Sequence, residues 1–88
     1  MRYRLEWDDK AKKQFKKLDP FTQKQLLNYL ERYAESENPR SQGYGLKHEL
    51  SGIWRYDVGA YRILCEIEDE KLVVIAVKVG HRKEIYKR

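Results

Sequence analysis

The chain begins and ends with apolar residues spaced as in β-strands, and helical spacing fills the region between them. Residues 2–7 alternate between apolar and charged side chains, a period of two that predicts a half-buried strand. Asp8 and the Asp19-Pro20 pair are typical helix starts, because aspartate caps backbone N–H groups and proline suits the first helical position. Apolar residues at helical spacing follow both signals and predict two antiparallel helices joined by a tight turn: Ala11, Phe15 and Leu18, then Leu26, Leu27, Leu30, Tyr33 and Ala34.

The second half of the chain has the pattern of consecutive strands. Residues 35–45 are polar and rich in turn-forming residues, which predicts a loop that ends the second helix. From Leu46 onward the spacing is that of strands. Residues 68–71 are a charged turn, and residues 72–79 are apolar on both faces, as in a central strand. The tail from His81 onward is long enough only for a turn and an edge segment.

Gly59-Ala60 lies between two alternating runs and predicts a two-residue hairpin loop. This loop sets Val58 opposite Tyr61 and sorts the side chains of both strands into two faces. One face is almost wholly apolar and is expected to pack on the helices: Trp54, Tyr56, Val58, Tyr61, Ile63, Cys65 and Ile67. The other face is expected to be at least partly open: Arg55, Asp57, Arg62, Leu64 and Glu66.

These elements predict an α+β fold in a single domain spanning residues 1–88. The expected architecture is an N-terminal strand, two antiparallel helices, then a three-stranded antiparallel meander that completes one sheet. Cys65 is the single cysteine, so no disulfide can form within the chain, which suits a reducing cytosol. Its place in a strand pattern favours a small buried side chain over a catalytic thiol. No apolar run reaches the length of a membrane span and no signal peptide is recognisable, so a cytoplasmic protein without membrane contact is expected.

The net positive charge and the placement of the arginines suggest a binding site for an anion. The 19 basic and 14 acidic residues give a net charge of +5, which favours anionic partners, nucleic acid first. Arginine is costly to bury between strands, so Arg55, Arg62 and Arg82 at strand positions and ends indicate a site for phosphate or carboxylate. The alternative is a basic protein with a solvated sheet face. His48 and His81 are far apart in the sequence and the carboxylates lack ligand spacing, so neither a metal nor a cofactor is predicted.

Several motifs at characteristic spacing, together covering nearly the whole chain, resemble one family. They are the order of elements, the run Leu50-Ser51-Gly52-Ile53-Trp54-Arg55-Tyr56, the hairpin Gly59-Ala60-Tyr61-Arg62, and the closing Val79-Gly80-His81-Arg82 with Tyr86. The combination resembles the RelE/ParE superfamily, the toxins of bacterial type II toxin–antitoxin pairs, and implies a RelE-like, microbial-ribonuclease-type architecture. RelE-type members are ribosome-dependent endoribonucleases that cut messenger RNA at the decoding site. ParE-type members share the fold and poison DNA gyrase.

The resemblance also implies residues for the RelE-type reaction. Arg55 and Arg62 match basic side chains of the open face, and Arg82 and Tyr86 match an arginine and a tyrosine near the C-terminus. This match favours the nuclease over the gyrase inhibitor. Asp57 departs from the family pattern, because well-studied members carry a basic residue there. It is expected either to weaken phosphate binding or to orient Arg62 across the hairpin.

Metal-free RNA cleavage uses the 2′-hydroxyl as nucleophile and needs a base, an acid for the 5′-oxygen and cations for the phosphorane charge. The hypothesis is that Arg62 and Arg82 grip the scissile phosphate while Arg55 holds the backbone or the nucleophilic oxygen. Arginine is a poor base, so proton transfer falls to Tyr86 or His81, and the sequence does not decide between them. Each residue also has a purely structural alternative: Arg62 as cross-strand partner of Asp57, Arg82 as a solvated strand end, Tyr86 as a core plug and His81 as a surface histidine.

The lysines of the first helix are a second candidate site. They either form the solvated side of an amphipathic helix or bind the phosphate backbone of ribosomal RNA. The lysines are Lys10, Lys12, Lys13, Lys16 and Lys17. The resemblance further implies a cognate antitoxin, RelB-like or other, whose extended segments wrap the toxin. The expected partners are therefore that antitoxin, the ribosome and mRNA, with DNA contacted only indirectly through the antitoxin complex. A homologue that binds its antitoxin or RNA without toxicity is a further alternative.

Overall fold

The structure, a computed structural model, describes residues 1–85. Within this part, helices α1 and α2 span Asp9–Lys16 and Pro20–Tyr33. The strands β1 to β5 span Arg4–Trp7, Tyr44–Gly45, Ile53–Val58, Tyr61–Glu68 and Val73–His81. Short 3-10 turns lie at His48–Leu50 and Asp69–Lys71. In residues 1–85, neither helix has the length and apolar character needed to cross a membrane.

The strands form one mixed sheet in the order β1-β5-β4-β3-β2. β1 runs parallel to β5, whereas the pairs β5–β4, β4–β3 and β3–β2 are antiparallel. The predicted α+β fold and the meander of β3, β4 and β5 are confirmed. β5 lies between β1 and β4, so the central strand predicted over residues 72–79 is confirmed.

Aspartates cap both helices as the sequence predicts. The Asp8 carboxylate accepts from the Ala11 N–H at 2.9 Å, and the Asp19 carboxylate accepts from the Thr22 N–H at 3.0 Å. The Thr22 hydroxyl also donates to Asp19 at 2.7 Å, and these two hydrogen bonds lower the pKa of the Asp19 carboxyl. Pro20 then occupies the first turn of α2, where its missing N–H costs nothing.

The core lies between the two helices and one face of the sheet. Leu26 and Leu30 of α2 are fully buried together with Tyr56, Ile63 and other apolar residues of the face predicted to meet the helices. α1 packs beside β5 at the level where β1 has ended. There the Val79 N–H donates to the side-chain oxygen of Gln14 at 2.8 Å.

The segment predicted as a loop contains the two-residue strand β2, which the sequence did not predict. The Tyr56 hydroxyl donates to the Pro39 carbonyl, and Trp54 Nε1 donates to the Gln42 carbonyl at 2.7 Å, so the segment lies tightly against β3. Gly43 has a φ of 80°, and a Cβ there would clash with the Arg55 carbonyl. Only glycine permits this approach, which brings the next residue into register with Arg55.

Candidate active site

The β3–β4 hairpin places two arginines and an aspartate on the sheet face that the helices do not cover. Val58 pairs with Tyr61 and Asp57 with Arg62, as predicted. Gly59 has a φ of 59° at the first loop position, as in a type II′ turn. Arg55 lies two residues before Asp57 on β3, so strand alternation puts its side chain on this same face.

Asp57 joins the two arginines. Its Oδ1 lies 2.8 Å from Arg55 Nε and 3.0 Å from Arg62 Nε, and its Oδ2 accepts from Arg55 Nη2 at 3.1 Å. The side chains of both arginines are 17% exposed, and that of Asp57 is 38% exposed. We call these three residues the arginine pair with its bridging aspartate. Two guanidinium groups that meet at one carboxylate oxygen have the geometry of an anion site.

Tyr44 is a residue of this face that sequence reasoning missed. It pairs with Arg55 across β2 and β3, and the Arg55 Cζ lies 4.4 Å from the centre of its ring. Tyr44 is 44% exposed, although its side chain is large and partly apolar. The aromatic between two glycines, Gly43 and Gly45, was the available signal, but a short strand within a polar segment gives no periodicity to detect.

Arg82 lies at the same end of the sheet as Arg62. Gly80 is the β5 partner of Arg62, and two residues later the Arg82 N–H donates to the Ala60 carbonyl at 2.8 Å, beside the hairpin loop. Arg82 is exposed and forms no ion pair with another residue in 1–85. Tyr86, the remaining predicted residue, lies outside the described residues.

His81 lies on the opposite face from the arginine pair. It is the register partner of Tyr61, whose neighbours Val58 and Ile63 face the core, and the two rings meet edge to face with centroids 5.5 Å apart. Its Nδ1 accepts from the Lys83 N–H at 3.1 Å. The structure therefore does not bring His81 together with Arg55 and Arg62, although it is adjacent to Arg82 in the chain.

An open groove of about 700 Å³ lies where α1 meets the end of β5. Lys10, Lys78, Lys83 and Glu84 contribute charged groups to its lining. All five lysines predicted to contact RNA are exposed, and they occupy α1 and the residue after it: Lys10, Lys12, Lys13, Lys16 and Lys17. They form a basic surface separate from the arginine pair.

Other chemistries find no support within the described part of the chain. In residues 1–85, no three His, Cys, Asp or Glu side chains are grouped so as to hold a metal ion. Cys65 is buried, as predicted, and burial raises the pKa of its thiol, so it is not a thiolate nucleophile at neutral pH. The arginine pair with its bridging aspartate is therefore the candidate anion site on the open face.

The family model and the related sequences that match this chain all describe toxins of one superfamily. A family model described as the ParE toxin of the type II toxin–antitoxin system parDE matches residues 5–86. The chain is 33% identical over 95 residues to the mRNA interferase toxin RelE of Escherichia coli, covering 98% of this chain and 92% of that protein. It is 40% identical over 53 residues to toxin RelG of Mycobacterium tuberculosis, a match that spans 60% of this chain and 61% of that protein.

Solved structures of the same kind share the fold. The M. tuberculosis toxin–antitoxin complex RelBE2 contains a chain that superposes with a TM-score of 0.81 at 28% identity, covering 93% of this chain and 100% of that one. The isolated E. coli RelE toxin gives a TM-score of 0.75 at 30% identity, with 90% and 83% covered. From its sequence and its fold together, this chain belongs to the RelE/ParE superfamily of type II toxin–antitoxin toxins.

Proposed function

We propose that this protein is a ribosome-dependent, metal-independent endoribonuclease that cuts messenger RNA and so arrests translation. The observation that carries the proposal is the meeting of the Arg55 and Arg62 guanidinium groups on the open face of the sheet. Paired guanidinium groups bind phosphate and stabilise the charge that develops on it in the transition state. Similarity to an mRNA interferase over nearly the whole chain supports the same reaction.

The proposed reaction needs only the RNA and protein side chains. The 2′-hydroxyl of one nucleotide attacks the adjacent phosphorus, the new O–P bond closes a cyclic phosphate, and the P–O bond to the 5′-oxygen of the next nucleotide breaks. A proton leaves the 2′-oxygen and another reaches the 5′-oxygen. The phosphorane between these events carries extra negative charge, which two or more arginines offset.

The residues divide these tasks by position. Arg62 and Arg82, at one end of the sheet, are proposed to grip the scissile phosphate, and Arg55 to hold the neighbouring backbone or the nucleophilic oxygen. The exposed ring of Tyr44 beside Arg55 offers a stacking surface for a base next to the cleavage site. Between the two candidates for proton transfer, we propose Tyr86 on its family match, because His81 faces away from the arginine pair.

Docking on the ribosome and neutralisation by an antitoxin complete the proposal. The exposed lysines of α1 are proposed to bind ribosomal RNA through phosphate contacts, which are salt-dependent and largely sequence-independent. The RelBE2 and E. coli RelBE structures contain related toxins bound to their antitoxins. We propose that a cognate antitoxin likewise neutralises this chain, and that the complex contacts DNA only through the antitoxin.

Primer extension on a translated message tests the proposed reaction. The unmodified protein is expected to produce new 5′ ends only when ribosomes are present, and Arg82→Ala to produce none while remaining folded, because Arg82 is exposed. Arg32→Ala, an exposed arginine on α2, is the matched control and is expected to cut normally. Full cleavage by Arg82→Ala, or cleavage without ribosomes, would contradict the proposal.

The description of the matching family model favours one second candidate. A ParE-type protein would inhibit DNA gyrase through protein contacts and cut no RNA. Induction of the chain would then trigger DNA-damage signalling and leave transcripts intact. Mapping transcript 5′ ends and following a damage-response reporter in the same culture separates the two functions.

A further inference from the structure

Asp57 contacts both arginines of the open face through a single oxygen. Its Oδ1 lies 2.8 Å from Arg55 Nε and 3.0 Å from Arg62 Nε, so the two Nε atoms are no further apart than these distances combined. Arg62 is held further because its Nη1 donates to the Gly59 and Tyr61 carbonyls at 3.4 and 3.2 Å. The carboxylate therefore bridges the two guanidinium groups, while the hairpin carbonyls support Arg62 and the Tyr44 ring supports Arg55.

The carboxylate is the group that joins the two arginines to each other. Both side chains carry a positive charge, and like charges on facing strands repel. With only 17% of each side chain exposed, solvent and salt screen this repulsion weakly. The negative charge of Asp57 offsets the repulsion, and without it we expect at least one guanidinium group to turn toward solvent.

The same carboxylate has the opposite effect on substrate binding. Arg55, Arg62 and Asp57 together carry one net positive charge, whereas the arginines alone would carry two. Asp57 also covers guanidinium edges that a phosphate oxygen would otherwise contact. Asp57 is therefore expected to lower the affinity of this face for RNA while it keeps the two guanidinium groups close together.

We propose that Asp57 is a positioning residue, which holds Arg55 and Arg62 converged before substrate arrives and increases turnover at the expense of affinity. This inference rests on the proposed nuclease function. It predicts that Asp57→Ala lowers kcat by about tenfold to a hundredfold, the loss typical of a misplaced catalytic group. It also predicts that KM falls by about two- to fivefold, as for the removal of one repulsive charge.

The first experiment examines the unbound protein and needs no activity. In ¹⁵N-arginine-labelled protein, NMR measures rotation about the Nε–Cζ bond of each guanidinium group. Asp57→Ala is expected to accelerate this rotation in at least one of Arg55 and Arg62. The matched control is Glu6→Ala, which changes the net charge equally by removing the partner of Arg4 at 2.9 Å, and it should leave both signals unchanged.

The second experiment measures cleavage of a message on ribosomes at increasing ribosome concentration. Asp57→Ala is expected to lower kcat and KM together, Asp57→Glu to recover part of kcat, and Glu6→Ala to leave kcat unchanged. Asp57→Asn, which keeps the side-chain size, replaces Asp57→Ala if thermal denaturation shows that the alanine variant is unfolded.

The outcomes separate this inference from the proposed function. If the unmodified protein cuts no message, the nuclease proposal fails, while the NMR comparison still decides whether Asp57 holds the arginines. A kcat for Asp57→Ala equal to or above that of the unmodified protein overturns the positioning role. Unchanged guanidinium rotation in both arginines overturns it as well.

Discussion

Tyr56→Phe removes one oxygen atom from the centre of the molecule and tests how the segment before β3 is held. Tyr56 is fully buried, and its hydroxyl donates to the carbonyl of Pro39, a residue that is itself buried. Burial raises the pKa of the Tyr56 hydroxyl, so it keeps its proton and remains a donor throughout the neutral range. Phenylalanine preserves the packing of the ring and deletes only this donor.

The expected loss follows from the carbonyl that the substitution leaves buried without its donor. A buried hydrogen bond contributes about 1 kcal/mol, and an unsatisfied buried group costs about 1–3 kcal/mol. We expect the free energy of unfolding to fall by about 1.5 kcal/mol. For a domain of 88 residues this lowers Tm by roughly 6–12 °C.

Thermal and urea denaturation measure this change, with Tyr29→Phe as the control. The Tyr29 ring packs against Tyr56 with centroids 5.9 Å apart, yet its hydroxyl forms no hydrogen bond with another residue in 1–85. Tyr29→Phe should therefore change stability by less than about 0.5 kcal/mol. Equal Tm values for the two variants would refute the assigned role of the Tyr56 hydroxyl.

Further predictions concern the substrate face, the acid range and the lysine surface. Tyr44→Ala is expected to raise the KM for ribosome-bound message by about tenfold and Tyr44→Phe to leave it unchanged, since stacking needs the ring and not the hydroxyl. The Arg40 and Tyr3 hydrogen bonds lower the pKa of Asp69, so its contribution to stability is present at neutral pH and is lost as the pH falls below about 4; urea midpoints from pH 7 to 2 should decline less steeply for Asp69→Asn. Lys13→Ala should reduce the salt dependence of ribosome binding by about one unit of slope in a logarithmic plot, whereas an unchanged slope would remove this lysine from the interface.

The sequence predicted those features that depend on local chemistry. Asp8 and Asp19 identified both helix starts because a cap is a contact between near neighbours in the chain. Gly59-Ala60 identified the hairpin and therefore the register that sets Asp57 opposite Arg62. Strand alternation then placed Arg55 on the same face. The placement of Arg55, Asp57 and Arg62 on one face was thus predictable from strand periodicity and one turn.

Features that depend on contacts between distant residues were not predictable in this way. β2 exists because side chains of β3, Trp54 and Tyr56, hold a polar segment by its backbone carbonyls, and composition does not record such contacts. His81 is a second example. Histidine is suited to proton transfer, which made it a candidate in the sequence, but its side chain lies on the face opposite the arginine pair because it is the register partner of Tyr61, and the sequence alone did not determine this β4–β5 register. The sharing of Asp57 by both arginines likewise depends on side-chain conformations that periodicity does not determine.

The contact between Gln14 and Val79 also bears on how copies of this protein behave toward one another. β1 has four residues and β5 has nine, so among residues 1–85 no strand pairs with the far half of β5 on that side. A bare strand edge invites pairing with another chain and, eventually, aggregation. By taking up the Val79 N–H, Gln14 occupies one of the positions that an incoming strand would need. Gln14 thereby gives this edge of β5 some protection against pairing with a second copy of the chain.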